Sequence, residues 1–509
     1  MAEHSELYDL LVVGGGINGV GIARDAAGRG LSILLCEQGD LGGATSSASS
    51  KLVHGGLRYL EHYEFRLVAE SLSERAILLN MAPHIVRPMR FVLPHAPGMR
   101  PAWMVSLGLF LYDILSKRDA RLGSCRKLDL TTAFQGEPLQ DHVRVGFDYA
   151  DCTVDDSRLV ALNARAAQDL GADIFTRTAL VEARRENGAW RVKLRDADTG
   201  AERDVCTKVL MNVAGPWVRS VIDSAHGVLV GKSIRLVKGS HIVVPRLFDG
   251  DHAYILQNDD GRVIFVIPFH DAFTLIGTTE DILKSPPPLD GTGIGISDVE
   301  TEYLCRAVNR YFLKQISPAD VTWSYAGVRP LFEDKADSAS AVTREYVLDL
   351  QSANGDAPLL SVFGGKLTTY RRLAEKALDK IRTFLPHMGS AWTSDIPLPG
   401  GALPDDGMDG LLGELQTAYP WATEDFLRAL ADRHGTLVFD VLGNAVSEAA
   451  LGENFGHGLY AREVEYFITH EWARRVDDIL WRRTKLGLVL DEAEQRALAG
   501  YLSLRGASV

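Results

Sequence analysis

The chain has 509 residues, a formal net charge of −13, and a composition that is 46% hydrophobic and 24% charged. This length allows about three domains, each with enough apolar residues to bury a core. The acidic balance argues against a general nucleic-acid-binding protein, because such proteins need surplus lysine and arginine to displace phosphate counterions. The cysteines lack CxxC spacing, which indicates reduced cytosolic thiols and no metal site; they are Cys36, Cys125, Cys152, Cys206 and Cys305.

The first elements predict a dinucleotide-binding unit. An apolar run, Tyr8 to Val13, leads into Gly14-x-Gly16-x-x-Gly19, which opens a helix. Glycines there let the backbone approach a pyrophosphate, whose charge is stabilised by the N–H groups at the helix start. A second strand ends at Glu37, where a ribose needs a hydrogen-bond acceptor. Because this acid would repel a 2′-phosphate, it argues against NADP.

A segment rich in glycine and serine follows, from Leu41 to Leu60, and predicts no regular element. Its cluster of small hydroxyl residues suits the lining of phosphates and the polar edge of a large cofactor: Ser46, Ser47, Ser49 and Ser50. A solvated loop is the alternative. An NAD dehydrogenase would instead continue into further strand and helix repeats, so the segment favours a flavin.

The middle of the chain predicts departure into a second domain and return from it. A helix is expected from Leu57 to Asn80, and five prolines break residues 83–101 into short extended pieces. A helix at 157–170 and strands near 177–184 and 190–194 then rejoin the first domain. Alternating apolar residues from His241 to Thr279 predict an antiparallel sheet.

The final part of the chain predicts helices. Residues 395–407 have the composition of a linker, Thr423 is expected to cap a helix, and Glu463 to Lys485 is expected to form one long amphipathic helix. Its arginine pairs, 474–475 and 482–483, are expected on a solvated face, with a partner or lipid as alternatives.

Several blocks carry a resemblance to a known family. GGGINGVGIARDAAGRG (14–30) and ATSSASSKLVHGGLRYLEHYEFRLV (44–68) resemble the FAD-dependent glycerol-3-phosphate dehydrogenases of aerobic respiration, within the D-amino-acid-oxidase-like flavoproteins. Further blocks are similar in the same order, at 209–217, 238–246, 253–269, 276–280, 325–331, 360–371 and 453–460. One departure is Ala214, where the family usually has threonine, so a hydroxyl contact to FAD would be lost there.

The resemblance implies an α/β fold in three parts. A Rossmann-like FAD-binding domain would comprise residues 1–82, 150–230 and 326–394. It would be interleaved with an antiparallel-sheet substrate (cap) domain at 83–149 and 231–325. A linker at 395–407 would lead to an all-α C-terminal domain at 408–509. The expected FAD-binding residues are Gly14, Gly15, Gly16, Asn18, Gly19, Glu37, Gln38, Thr45, Ser46, Ser47, Ser50, Lys51, Leu52, Val181 at the adenine end, Ala214, Gly215, Trp217, Gly364, Gly365, Lys366, Leu367 and Thr368.

The implied reaction, oxidation of sn-glycerol 3-phosphate to dihydroxyacetone phosphate, needs a phosphate clamp and a base. Arg58 and Arg329 are the candidate clamps because a guanidinium donates two parallel charge-assisted bonds, and Tyr59 would add a phenol. Each arginine has a structural ion pair as its alternative role.

His241 is favoured as the base and as a substrate contact, with His54 as its rival and a buried core histidine as the alternative. Lys366 would place a positive charge near the flavin N1 and O2 or near the substrate phosphate.

The implied electron acceptor is ubiquinone, and the implied site is the cytoplasmic face of the inner membrane, with peripheral (monotopic) attachment; a homodimer is also possible. Only seven residues precede the first strand, too few for a targeting segment. The apolar run Pro101 to Tyr112 is too short to span a bilayer. Eight basic residues against two acidic ones between His84 and Leu128 fit an interfacial anchor, which the membrane attachment implied by the resemblance favours. A buried helix with a basic collar is the alternative.

Three alternative functions remain at this point. The first is a glycerol-3-phosphate oxidase that reduces O2 to peroxide, and it shares the same first half-reaction. The second is an amine-oxidising flavoenzyme, which the paired arginine blocks disfavour. The third is a flavin-binding protein without turnover, which the full set of candidate catalytic residues disfavours.

Overall fold

The computed structural model describes residues 7–57, 64–95, 101–116, 121–228, 232–288, 294–332, 346–352 and 356–505. The strands are β1 Leu7–Val13, β2 Ile33–Cys36, β3 Leu52–Val53, β4 Val86–His95, β5 Arg126–Asp129, β6 Val145–Val154, β7 Asp173–Phe175, β8 Thr178–Glu186, β9 Ala189–Asp196, β10 Glu202–Asn212, β11 Ile234–Pro245, β12 Ala253–Gln257, β13 Val263–Phe269, β14 Phe273–Gly277, β15 Asp281–Leu283, β16 Trp323–Phe332, β17 Val347–Gln351 and β18 Leu359–Phe363. The α-helices are α1 Ile17–Gly28, α2 Phe65–Met81, α3 Ala102–Leu115, α4 Asp156–Asp169, α5 Val218–Asp223, α6 Asp298–Asn309, α7 Tyr370–Ile381, α8 Gly407–Ala418, α9 Glu424–His434, α10 Val438–Leu442, α11 Ala461–Glu471 and α12 Glu492–Leu504.

The first sheet has the order β17-β18-β10-β1-β2-β7, and the hairpin β8–β9 extends it from β10. β1 lies between β10 and β2 and is parallel to both, and its residues from Tyr8 to Val13 are buried. Parallel strands covered on both faces read as continuous apolar runs, which explains why this strand was predictable. Helices α1, α4 and α7 pack together in the associated core. The predicted α/β cofactor-binding fold is confirmed.

The second sheet is mainly antiparallel, with the order β15-β11-β14-β13-β12-β4-β6-β3. β16 also pairs with β11 over its whole length, from Ile234 opposite Phe332 to Val243 opposite Trp323. The expected domain boundary at residues 325–326 therefore cuts through β16. Because the pairing with β11 is unbroken, the second sheet continues to Phe332.

Strand β4 corrects the expectation of short extended pieces. Residues 86–95 form one strand that pairs with β6 from Val86 opposite Val154 to His95 opposite Val145. Proline cannot donate a ladder hydrogen bond, so it is tolerated only where one side of the strand needs no partner. On its other side β4 pairs with β12 only at Phe91 and Val92, away from Pro88 and Pro94.

The C-terminal helical domain matches one expectation and corrects another. The Thr423 side chain accepts a hydrogen bond from Phe426 N and caps α9, as predicted. The expected linker, residues 395–407, packs against the preceding part of the chain, since Leu398 is buried and its N–H donates to Met81 O. The single helix from Glu463 to Lys485 is wrong: α11 ends at Glu471, Trp472 has a φ of +56°, and a π-helix follows at Asp478–Arg483.

Among the described residues, no helix combines the length and the apolar character needed to cross a bilayer.

Candidate active site

The start of α1 is a close-packed turn that only glycine allows. Gly14 has a φ of +113°, and a Cβ on Gly19 would lie 1.9 Å from Gly14 O. The first helical N–H groups therefore lie at the carboxyl ends of β1 and β10, where a pyrophosphate binds in this fold class. Ser46 Oγ accepts a hydrogen bond from Ile17 N at 3.0 Å, which places the predicted serine loop at this helix end.

Glu37, the predicted ribose ligand, follows β2 and lies beside the glycine turn. Its two carboxylate oxygens accept hydrogen bonds from Gly15 N at 2.6 Å and Gly39 N at 2.8 Å. Burial raises the pKa of this carboxyl group. The side chain is thus held beside the glycine turn by backbone donors from both sides.

The serine loop is bonded to the second sheet at three points. Thr45 Oγ1 donates to Val328 O at 2.7 Å, and the Tyr325 hydroxyl donates to Ser49 O at 2.7 Å. Ser50 Oγ lies 2.9 Å from His241 Nε2. These contacts bring the serine loop, which contains Ser46, Ser47, Ser49 and Ser50, against β11 and β16, the strands that carry His241 and Arg329.

His241 is 2% exposed and lies on β11 with its ring stacked on Tyr325, at a centroid distance of 4.8 Å and an angle of 14°. Burial, followed by the positive charges of Arg329 and Lys51, holds its pKa well below the ordinary value for histidine. The neutral imidazole therefore predominates at neutral pH. A Cβ on neighbouring Gly277 would lie 2.0 Å from His241 Cδ2, so glycine makes room for the ring.

Arg329 lies on the same face of the sheet as Tyr325, because residues four apart on a strand share a face. Its Nη2 donates to Thr278 Oγ1 at 3.1 Å, and its Nη1 is 3.7 Å from Glu280 Oε1. A Cβ on Gly239 would lie 2.6 Å from Nη2, so this glycine opens the space in which the guanidinium lies. The side chain is 29% exposed and therefore accessible to an anion.

His54, the alternative base, lies over the same face. Its ring is 6.2 Å from that of Phe265, and both Phe265 and His241 pair with Gly277, from opposite sides. The geometry brings both histidines to one face of the sheet and leaves the choice between them to experiment.

The Gly364–Thr368 loop also reaches the start of α1. Gly364 and Gly365 have φ values of +82° and +106°, and a Cβ on Gly365 would lie 2.5 Å from Asn18 Nδ2. The half-buried Lys366 precedes a short 3-10 helix at Leu367–Thr369. A segment some 350 residues later in the chain thus closes on the glycine turn.

The remaining predicted residues occupy several places. Val181 is the extra residue of a β-bulge in β8, between Leu180 and Glu182, and Leu52 is buried in β3. Ala214 and Gly215 follow β10, next to the glycine turn, whose Gly14 packs on Val213 O. Trp217 donates through Nε1 to Pro287 O at 2.9 Å. Gln38, Ser47 and Lys51 lie on the loop after Glu37, while Arg58 and Tyr59 lie outside the described residues.

One supporting residue, Glu300, was missed by the sequence reasoning. Its carboxylate accepts hydrogen bonds from Ser240 Oγ at 2.7 Å and Thr279 Oγ1 at 2.6 Å, and it pairs with Lys238 Nζ at 2.7 Å. Burial alone would raise its pKa, but these bonds lower the pKa to about 2. Ser240 precedes His241, and Thr279 follows Thr278, the hydrogen-bond partner of Arg329. Glu300 therefore holds a residue next to His241 and a residue next to the partner of Arg329. The Ser297-x-x-Glu300 capping box was the available signal.

The chain is similar to known FAD-dependent proteins over nearly its whole length. A family model described as FAD dependent oxidoreductase matches residues 9–371, and one described as the C-terminal domain of alpha-glycerophosphate oxidase matches residues 391–505. The glycerol-3-phosphate dehydrogenase of Pseudomonas aeruginosa is 52% identical and covers 98% of this chain and 96% of its own length. The D-erythritol 1-phosphate dehydrogenase of Brucella abortus is 50% identical, with 98% of each chain covered.

A solved structure is also similar over nearly the whole chain. The glycerol-3-phosphate dehydrogenase of Bacillus halodurans, complexed with FAD, has a TM-score of 0.76 and 27% identity, and the match covers 99% of this chain and 90% of that one. The chain therefore belongs to the family of FAD-dependent glycerol-3-phosphate dehydrogenases, within the FAD-dependent oxidoreductases.

Proposed function

We propose that this protein oxidises sn-glycerol 3-phosphate at C2 to dihydroxyacetone phosphate and passes the electrons to ubiquinone. One observation carries the proposal. His241 and Arg329, the proposed proton acceptor and anion ligand, lie on one sheet face against the serine loop that follows the dinucleotide-binding turn. A secondary alcohol with a phosphate nearby requires this combination.

The fit to FAD rests on the glycine turn, on Glu37 and on the two loops that meet there. Gly14 to Gly19 and Ser46 would contact the pyrophosphate, Glu37 the ribose, and residues 364–368 the flavin side. When bound, FAD supplies a hydride acceptor at N5. Lys366 would add positive charge where the reduced cofactor becomes negative.

Each proposed active-site residue would have a distinct part in the reaction. Arg329, with Arg58 and Tyr59, would bind the phosphate and fix the distance to C2. The neutral imidazole of His241 would accept the C2 hydroxyl proton, and its bond to Ser50 Oγ would hold the ring in place. His54 remains the second candidate for this proton.

The electron acceptor is tested by following reoxidation of the reduced flavin. We expect a water-soluble ubiquinone analogue to reoxidise the flavin far faster than O2 does, with no peroxide formed. Rapid reoxidation by O2 with one peroxide per flavin would instead identify a glycerol-3-phosphate oxidase.

We also propose that the protein attaches, as a monomer or a homodimer, to the cytoplasmic face of the inner membrane through α3. Trp103 and Phe110 are 65% and 53% exposed, and Met104, Leu107, Leu111 and Ile114 are also exposed. The opposite face packs inward through Leu109 and Tyr112, whose hydroxyl donates to Asp151 at 2.8 Å and accepts from Gly55 N at 2.9 Å. A contiguous exposed apolar face on a firmly held helix fits insertion into a lipid surface.

Replacing Trp103 and Phe110 by serine should release the protein from vesicles that contain anionic lipid. Partial burial of each aromatic ring is worth about 1 kcal/mol, so the double variant should bind roughly 30-fold more weakly. Cosedimentation measures this change. The control is Phe134→Ser, which removes an equally exposed aromatic away from α3. Equal loss in the control, or unchanged binding of the double variant, would rule out α3 as the anchor.

A further inference from the structure

The C-terminal domain contacts the predicted cofactor loop through a short basic segment. We define the cofactor loop as residues 38–51 and the C-terminal clamp as residues 478–485, the π-helix with the two residues after it. The clamp contains Arg482 and Arg483, which were expected on a solvated face. Instead, the Arg483 side chain is fully buried and that of Arg482 is 16% exposed. Buried charges are costly unless they are paired, so their partners decide their role.

The first contact is at Asp40, three residues after Glu37. Arg483 donates from Nη1 to Asp40 Oδ2 at 2.8 Å and from Nη2 to Asp40 Oδ1 at 2.9 Å, while Arg482 Nε donates to the same carboxylate. The Asp40 side chain is 2% exposed. Two residues further on, Gly42 N donates to Gly15 O at 3.0 Å, which ties this end of the loop to the glycine turn.

The second contact reaches the other end of the loop through the start of α4. Lys485 Nζ donates to Asp155 Oδ1 at 3.0 Å and also bonds Ser157. Between them, Asp156 accepts from Ser49 Oγ at 2.7 Å and from Lys51 Nζ at 2.8 Å. The clamp therefore fixes the loop at Asp40 directly and at Ser49 and Lys51 through α4.

The clamp is itself held to the first sheet. Asp478 accepts from Arg177 Nη2 at 2.8 Å and from the backbone N–H groups of Arg474 and Arg475. Arg177 N in turn donates to Gly39 O at 2.9 Å, inside the cofactor loop. Removing one member of such a network leaves a buried charge without its partner, so the loop would be expected to shift.

We propose that the C-terminal domain retains FAD, with Arg482 and Arg483 acting as positioning residues through Asp40. Both arginines bond Asp40, so they would act on FAD through the backbone between Glu37 and the serine cluster. The inference rests on the proposed course of FAD along the glycine turn, Glu37 and residues 45–51.

The test compares FAD release from the full-length holoenzyme and its variants Arg482→Gln and Asp40→Asn. Release is followed by the fluorescence of free FAD after dilution, and the apoprotein's thermal unfolding is measured in parallel. We expect roughly 10- to 100-fold faster release, by analogy with the loss of affinity that removal of an outer-shell partner causes at metal sites. The control is Arg433→Gln, which breaks the pair with Glu463, a buried carboxylate of the same domain that is not a partner of Arg482 or Arg483.

Equal release from Arg482→Gln and the control would overturn the proposal, as would faster release that merely follows a lower apoprotein unfolding midpoint. The double variant Arg482→Gln/Asp40→Asn should release FAD little faster than either single variant, because both substitutions break the same contact. A further variant, Glu37→Gln, distinguishes a wrong course of FAD from a clamp that does not retain it. Normal FAD release from Glu37→Gln would overturn the assumed course of FAD. Fast release from Glu37→Gln together with normal release from Arg482→Gln would overturn only the proposal that the clamp retains FAD.

Discussion

Replacing Arg329 by alanine is expected to raise the KM for sn-glycerol 3-phosphate roughly 100-fold, because two charge-assisted hydrogen bonds to a phosphate are worth about 3 kcal/mol. The guanidinium is accessible and already oriented by Thr278, with Glu280 nearby. Steady-state kinetics at saturating acceptor measure the change, and the FAD content should be unaltered.

Two further variants sharpen this prediction. Arg329→Lys keeps the charge but not the planar fork, so it should recover only part of the affinity. Arg310→Ala removes an exposed arginine that pairs with Asp259 and should change nothing. A KM for Arg329→Ala that matches the Arg310→Ala control would remove Arg329 from the phosphate site and leave it a structural ion pair.

Replacing His241 by asparagine is expected to slow anaerobic flavin reduction by about 10²- to 10⁴-fold, the usual contribution of a positioned base. Substrate affinity should change much less, because the phosphate ligands remain. The matched variant is His54→Asn, which alters the other histidine over the same sheet face. If His54→Asn slows reduction and His241→Asn does not, the base is His54.

The same histidine sets an expectation for pH dependence. Burial and two nearby positive charges hold the pKa of His241 well below its ordinary value of 6.5, so its neutral form persists as the pH falls from 8 through 6.5. We therefore expect no loss of kcat/KM from protonation of His241 in this range. A break near pH 6.5 that disappears in His241→Asn would contradict the assignment of a neutral buried imidazole.

The parts of the fold that were predictable depend on local pattern. The sequence predicted three features correctly: the strand from Tyr8 to Val13, the glycine turn and the strand before Glu37. A buried parallel strand is a continuous apolar run in the sequence, which makes it recognisable. The second sheet was also visible from alternation between His241 and Thr279. Its exact extent was not, since the pairing of β16 with β11 joins residues about 90 apart in the chain.

The misread parts depend on distant partners. The apolar periodicity of residues 463–485 contains no glycine or proline, so nothing in it marks the break at Trp472, a non-glycine residue with positive φ. Arg483 was assigned to solvent because its partner, Asp40, lies more than 400 residues earlier. Likewise, β4 tolerates Pro88 and Pro94 only because β12 pairs with it so briefly.

Anaerobic addition of sn-glycerol 3-phosphate to the purified holoenzyme tests the central proposal most directly. We expect bleaching of the visible flavin absorbance with one dihydroxyacetone phosphate formed per flavin, and with weaker bleaching by D-erythritol 1-phosphate, the substrate named for one relative. A flavin that stays oxidised with glycerol 3-phosphate, or that is reduced preferentially by the longer polyol phosphate, would contradict it.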